Sequence, residues 1–148
     1  MTELEQHHRS GLRFDWVVVR ELRFEDDLSE HARSQAANLR ANVEIKTWVA
    51  DDASHCRTYL RLSLAPPEDG GASFKVLSAA VEGQFTVEGG AATSVSIEDF
   101  VRKQAPAILF PFLRQLVASV TSTSRFGQVL VPPINVVALV SDVAKQRE

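Results

Sequence analysis

The sequence holds a single cysteine, Cys56, so no intramolecular disulfide forms and a reducing compartment is its natural environment. It lacks any uninterrupted apolar run of about 18 residues, which excludes a membrane-spanning helix. Residues 1–10 are polar and have no apolar core of the kind that a signal peptide needs. These absences predict a cytoplasmic protein without membrane insertion, in which residues 1–11 form a disordered terminus.

Basic charge is also scarce, since the net charge is -3 and no run of Lys and Arg occurs. Nucleic acid is therefore not expected as a partner, because phosphate binding needs a clustered basic face. The chain has no phosphate loop, dinucleotide fingerprint or nucleophile elbow. His55 and Cys56 are adjacent and would point to opposite faces of a strand, so they do not share a metal ion. We predict no catalytic residues, no metal and no cofactor.

What the chain does contain is a β half followed by a helical half. Its 148 residues fit one domain, spanning 1–148. Alternation of apolar and polar side chains with β-branched residues predicts four strands. They lie near residues 14–24, 42–49, 55–64 and 73–87. Gly83 predicts a bulge or bend in the fourth strand.

The first strand has the clearest alternation. One face is predicted to carry Phe14, Trp16, Val18, Leu22 and Phe24, with Arg20 as an exception. The opposite face is predicted to carry Asp15, Val17, Val19, Glu21, Arg23 and Glu25. On the second strand, Val43, Ile45 and Val49 share one face. Both faces of the first strand are thus partly apolar.

The second half carries helix signals. Ser96 followed by Asp99 predicts an N-cap, and a longer helix is expected from about Pro106 to Ser124, kinked or delayed by Pro111. Its predicted buried stripe is Leu109, Phe112, Leu113, Leu116, Val117 and Val120, with Ile108 and Phe110 off the stripe. Asn135 would cap a short C-terminal helix.

Strands followed by helices predict the α+β class: a four-stranded antiparallel sheet with a long helix and a short C-terminal helix packed on it. Several elements carry apolar side chains on two faces, and a domain of this size cannot cover all of them. Self-association or a binding groove is therefore implied.

Two blocks of the second half resemble the SecB family of protein-export chaperones. Residues 105–114, APAILFPFLR, resemble the family's CPNILFPYAR, and residues 125–139, RFGQVLVPPINVVAL, resemble its GTFPQLNLAPVNFDALF. In the β half, residues 21–25 and 81–87 resemble the end of the family's first strand and its fourth-strand bend. The resemblance covers about residues 14–140 and implies a SecB-like fold.

The resemblance implies an ATP-independent holdase, a homotetramer built as a dimer of dimers, which keeps unfolded precursor polypeptides competent for translocation and passes them to SecA. The implied client-binding residues are Leu39, Val43, Ile45, Leu139, Val140 and Val143. Glu21 and Glu25 match acidic SecA-binding residues of the family, and Ser78 stands where another glutamate is expected. Asn38, Leu39 and Arg40 replace the family's Trp-Gln-Pro step.

Other functions stay open at this point. Relatives of the family serve as dedicated chaperones for antitoxins, without SecA. A sheet wrapped round a long helix also describes hot-dog thioesterases, for which Asp99 is the only acidic candidate near the helix start, and it fits a cap better. A structural oligomer without clients is the third alternative. For Val43, Ile45 and Leu139 the plain alternative is the core, and for Glu21 and Glu25 it is a solvated strand face.

Overall fold

The computed structural model describes residues 11–26, 40–65, 76–88, 96–124 and 127–131. Four strands form one antiparallel sheet in the order β1-β4-β3-β2. They are β1 (Leu12–Glu25), β2 (Arg40–Val49), β3 (His55–Ala65) and β4 (Val76–Val87). The predicted strands are confirmed, with ends moved by one or two residues at most positions.

A continuous helical segment follows the sheet. It begins with one turn, α1 (Ile97–Asp99), passes through a π-helical turn (Phe100–Gln104) and ends in the long helix α2 (Ala105–Thr121). Ser96 is the N-cap, and its Oγ accepts a hydrogen bond from the Asp99 N–H at 3.2 Å, as predicted. The predicted short C-terminal helix and its cap Asn135 lie outside the described residues.

Pro106 leaves one carbonyl of the π-helical turn without a helical donor. A π-helical carbonyl pairs with the N–H five residues later, and proline has none, so the Val101 carbonyl lacks a helical donor. The buried Thr58 hydroxyl of β3 donates to this carbonyl at 2.8 Å. The long helix begins at Ala105, within one residue of its predicted start at Pro106, and the predicted interruption before it is a π-helical turn.

One face of the sheet, called here the helix side, packs against α2. Its contacts are mainly with β3 and β4 and less with β1. The core combines β3, β4 and α2 side chains, namely Leu60, Leu62, Leu64, Leu77, Ala79, Val81, Leu109, Phe110, Leu113 and Val117. The predicted stripe of α2 was wrong at one turn: Phe110 is buried and Phe112 is exposed. The buried face is formed by positions 105, 106, 109, 110, 113, 117 and 121, and position 112 lies beside it.

The predicted faces of β1 were also wrong in its middle. Pairing with β4 shifts between Phe14 and Trp16 and again between Val19 and Glu21. Each shift adds one residue to β1, and a bulge residue reverses the alternation that follows it. Trp16 and Val18 therefore lie on the face without the helix, called here the open side. The helix side of β1 carries Leu12, Phe14, Val17, Val19, Leu22 and Phe24.

Gly83 has a different role from the predicted bulge. β4 pairs with β3 without a register shift across this position. Gly83 lies directly beneath α2, where an added Cβ would stand 2.7 Å from Leu109 Cδ2. Glycine at this position allows the helix to approach the sheet closely.

Candidate functional site

The edge strand β2 presents an apolar face on the helix side. Val43 and Ile45 pair across the sheet with Leu62 and Leu60 of the core. Both are only half-buried, although they pack against the same core cluster. α2 lies over β3 and β4, and the contacts of β2 with the helical segment are chiefly to the π-helical turn. Within the described ranges, this face of β2 is therefore only partly covered.

Two of the six predicted client-binding residues can be placed. Val43 and Ile45 share one face, as the alternation predicts. Leu39, Leu139, Val140 and Val143 lie outside the described residues, so the structure neither joins them to β2 nor separates them from it. The assignment of these six residues to a binding groove stays a prediction.

The segment after α2 returns along the helix. The Val129 N–H donates to Thr121 Oγ1 at 2.8 Å, and Arg114 Nε donates to the Val131 carbonyl at 2.8 Å. Val129 and Val131 are buried in the same cluster against which Val43 and Ile45 pack. The chain therefore enters residues 132–148 from a position on the helix side of the sheet.

A second apolar surface joins β1 to α2. Its members are exposed and lie on the helix side; we call this set the β1 strip, and it consists of Phe14, Val19, Leu22, Ile108 and Phe112. The rings of Phe14 and Phe112 meet edge to face, with centroids 6.0 Å apart. Sequence reasoning missed this surface because the bulges reverse the alternation. The run of three valines at 17–19 was the one sequence signal that the alternation of β1 is interrupted.

The predicted SecA-binding residues lie on the open side, as their alternation indicates. Glu21 Oε1 is 3.3 Å from an Arg61 guanidinium nitrogen, and Glu25 pairs with Arg23 at 3.3 Å. Arg61 also donates to Ser78 Oγ at 3.1 Å. Arg61 thus binds both Glu21 and the serine that replaces a third glutamate. Each predicted acidic docking residue has an arginine partner within the sheet.

The remaining polar groups that could take part in catalysis are Asp99, His55 and Cys56, and within the described residues they do not come together. Asp99 is half-exposed and pairs with Arg102 at 3.5 Å. His55 and Cys56 point to opposite faces, as predicted: Cys56 is buried on the helix side, and His55 contacts Trp48, with ring centroids 5.1 Å apart. Burial raises the pKa of the Cys56 thiol to about 11.

The described residues contain no group of three or more His, Cys, Asp or Glu side chains placed to hold a metal ion. Among the helices that they form, none has both the length and the hydropathy that crossing a membrane requires.

Sequence comparison finds relatives across nearly the whole chain. The family model described as preprotein translocase subunit SecB matches residues 5–147. An uncharacterized protein of Methanocaldococcus jannaschii is 25% identical over 148 residues, covering 98% of this chain and 92% of the relative. The protein-export protein SecB of Haemophilus ducreyi is 23% identical over 150 residues, covering 99% of this chain and 86% of the relative.

Solved structures share the fold. One is the SecB-like chaperone of Mycobacterium tuberculosis in complex with a ChAD peptide from the HigA1 antitoxin. It has a TM-score of 0.52 and 10% identity, covering 83% of this chain and 90% of that chain. A protein of unknown function from Streptococcus agalactiae has a TM-score of 0.51 and 12% identity, covering 82% and 97% respectively. The four-stranded sheet with a long helix packed on it therefore also occurs in solved structures of other proteins.

Proposed function

The chain belongs to the SecB family, and from this premise we propose that it is an ATP-independent cytoplasmic holdase that binds unfolded polypeptides in an apolar groove beside β2. The observation that carries the proposal is the half-buried apolar face formed by Val43 and Ile45 on an edge strand. An extended chain gains apolar contacts there with little dependence on its sequence.

Because β2 is an edge strand, its backbone could also form hydrogen bonds with a client. Among the described strands, none pairs with the outer edge of β2. The N–H and C=O groups along that edge suit an extended client, and its alternate side chains would rest near Val43 and Ile45. The M. tuberculosis relative was solved with a bound peptide, which supports a peptide-sized client segment as the unit of binding.

Self-association forms part of the proposal. The β1 strip exposes Val19 and Leu22, at 55% and 44% of their surface, together with Phe14, Ile108 and Phe112. A second copy of the chain would cover this surface, and the family's dimer of dimers is the assembly we propose. Several grooves on one oligomer would then offset a modest affinity at each site.

One observation favours a second candidate function, in which the client is not delivered to SecA. A basic SecA segment would have to compete with Arg61 for Glu21 and with Arg23 for Glu25. This pairing favours a chaperone dedicated to particular clients, such as an antitoxin, over delivery to SecA. Both candidates share the holdase mechanism and differ only in the partner that receives the client.

The holdase mechanism is tested with a chemically unfolded polypeptide diluted into buffer with and without the protein. Light scattering should show suppressed aggregation at a fixed ratio of client to oligomer, with no change on adding ATP or a chelator. A requirement for nucleotide, or scattering equal to that with albumin, would contradict the proposal.

A further inference from the structure

The open side of the sheet holds a cavity that the holdase proposal does not use. Its volume is about 360 Å³, and it is lined by Arg20, Lys46, Thr47, Trp48, Arg57, Tyr59 and Glu82. Three of these side chains are cationic, two are aromatic and one is a carboxylate. A chain with a net charge of -3 thus places a local excess of positive charge on this face.

Arg57 lies at the centre of one row across the sheet. Trp48, Arg57 and Gln84 are direct neighbours on β2, β3 and β4, and Trp16 follows on β1. The Arg57 guanidinium carbon is 5.2 Å from the centroid of the Trp48 ring and 5.6 Å from that of Trp16. Its Nε donates to Gln84 Oε1 at 2.9 Å. The cation–π contacts with the two rings and the hydrogen bond to Gln84 restrict the position of the guanidinium, which lowers the entropy lost when it binds a ligand.

The neighbouring row supplies cations that already have partners. Lys46 pairs with Glu44 at 3.3 Å, and its Nζ is 5.2 Å from the centroid of the Tyr59 ring. Arg20 pairs with Glu82 at 2.7 Å. Arg57, in contrast, makes no ion pair within the described part of the chain. The positive charge that is not locally balanced therefore belongs to Arg57.

The second β1 bulge completes this site. Arg20 is the residue added between Val19 and Glu21, and it reaches Glu82 on the open side. Without the extra residue, the alternation of β1 would not bring both Arg20 and Glu21 to this face. Bulges commonly re-aim a side chain beside a binding site.

We propose that this cavity binds an acidic peptide segment of a partner protein, with a carboxylate held by Arg57 and adjoining apolar atoms packed on Trp48 and Tyr59. Arginine with stacked aromatics is suited to planar carboxylates, which accept two parallel hydrogen bonds. Glu44 and Glu82 flank the site and would repel the closely spaced phosphates of a nucleic acid. The site lies on the opposite face of the sheet from Val43 and Ile45, so client and partner would not compete for the same side chains.

The chain contains two tryptophans, and the rings of both lie beside the Arg57 guanidinium, so intrinsic fluorescence reports directly on the site. The probe is a short labelled peptide of alternating glutamate and glycine with blocked ends, compared with its glutamine counterpart. Fluorescence and anisotropy titrations at low and high salt would measure binding to the full chain. A single-stranded DNA oligonucleotide serves as the competing polyanion.

We expect saturable binding of the glutamate peptide that weakens with salt and falls at least about tenfold in Arg57→Gln, since a charge-assisted hydrogen bond contributes this much. Lys46→Gln should weaken binding less, and Arg102→Gln, which removes an exposed arginine from the helical segment, should leave it unchanged. Thermal melts check that each variant is folded. Equal binding of the glutamine peptide, equal losses in Arg57→Gln and Arg102→Gln, or tighter binding of DNA would overturn the proposal.

Discussion

The Thr58 hydroxyl donates to the Val101 carbonyl at 2.8 Å, and this bond joins the middle of the sheet to the π-helical turn. Because Pro106 removes the helical donor, Thr58→Val should leave a buried carbonyl unpaired at nearly constant side-chain volume. We expect a loss of about 1–3 kcal/mol in the free energy of unfolding, measured by urea titration. Thr47→Val, at an exposed position of β2, is the control and should stay close to wild type.

Ile45→Asp distinguishes a binding groove from ordinary core. Ile45 is half-buried on an edge strand, so a carboxylate there should keep access to water and cost little stability. We expect an unchanged oligomer mass, a small fall in melting temperature and a loss of most client binding. Asn42→Asp, on the open side of the same strand, should retain binding.

An aggregated or monomeric Ile45→Asp protein would instead mean that Ile45 is structural. Burial of an unpartnered carboxylate costs several kcal/mol, so that outcome would be unmistakable in a melt. Val43 would then be the next position to test, since it shares the face.

Two adjacent valines of β1 test the proposed assembly. Val18 and Val19 are similarly exposed, at 42% and 55%, but lie on opposite faces of the sheet. Val19→Asp should break the oligomer that the β1 strip is proposed to form, whereas Val18→Asp should not. Light scattering at micromolar concentration measures the mass. A monomeric wild type, or equal behaviour of the two variants, would count against the strip as the interface.

Arg61→Gln tests the second candidate function. Loss of this guanidinium frees the Glu21 carboxylate and removes its contact with Glu44. A basic SecA-tail peptide should then bind several-fold more tightly than to wild type at low salt, because rim charges govern such encounters. The double change Glu21→Gln with Glu25→Gln should abolish the gain. If the wild-type protein already binds the SecA-tail peptide strongly and the double change removes that binding, SecA would be the favoured partner.

The Cys56 thiol should not react with thiol reagents in the folded protein. Burial raises its thiol pKa from the ordinary 9.0 to about 11, so folding favours the protonated form. This contribution to stability is present below pH 9 and is lost as the pH rises through 11. At about pH 8, a thiol reagent should label the protein only in denaturant. Rapid labelling without denaturant would show that the helix side opens readily.

The strands and the family were predictable because they depend on local patterns. Period-two alternation located all four strands, and the Leu-Phe-Pro-Phe block at 109–112 sits in the long helix, as the resemblance implies. Alternation alone predicted which residues of β2 share a face with Val43, because β2 pairs with β3 without a register shift.

The faces of β1 could not be read from the sequence, because a bulge is settled by the pairing partner. Asp15 and Arg20 are the added residues, and they are held on the open side by Thr86 and Gln84 and by Glu82 respectively. These partners are more than sixty positions away in sequence. The ring of cations and aromatics around Arg57 depends on the same distant pairings.

The same two bulges make the edges of the sheet unequal. β1 is interrupted in register at two positions, and bulges of this kind discourage another strand from adding to an edge. β2 keeps ten consecutive regular pairs with β3 and offers an even template on its far side. A protein that collects unfolded chains risks seeding their stacking into fibrils, or joining the stack itself. With one edge blunted, such stacking could start from a single side only.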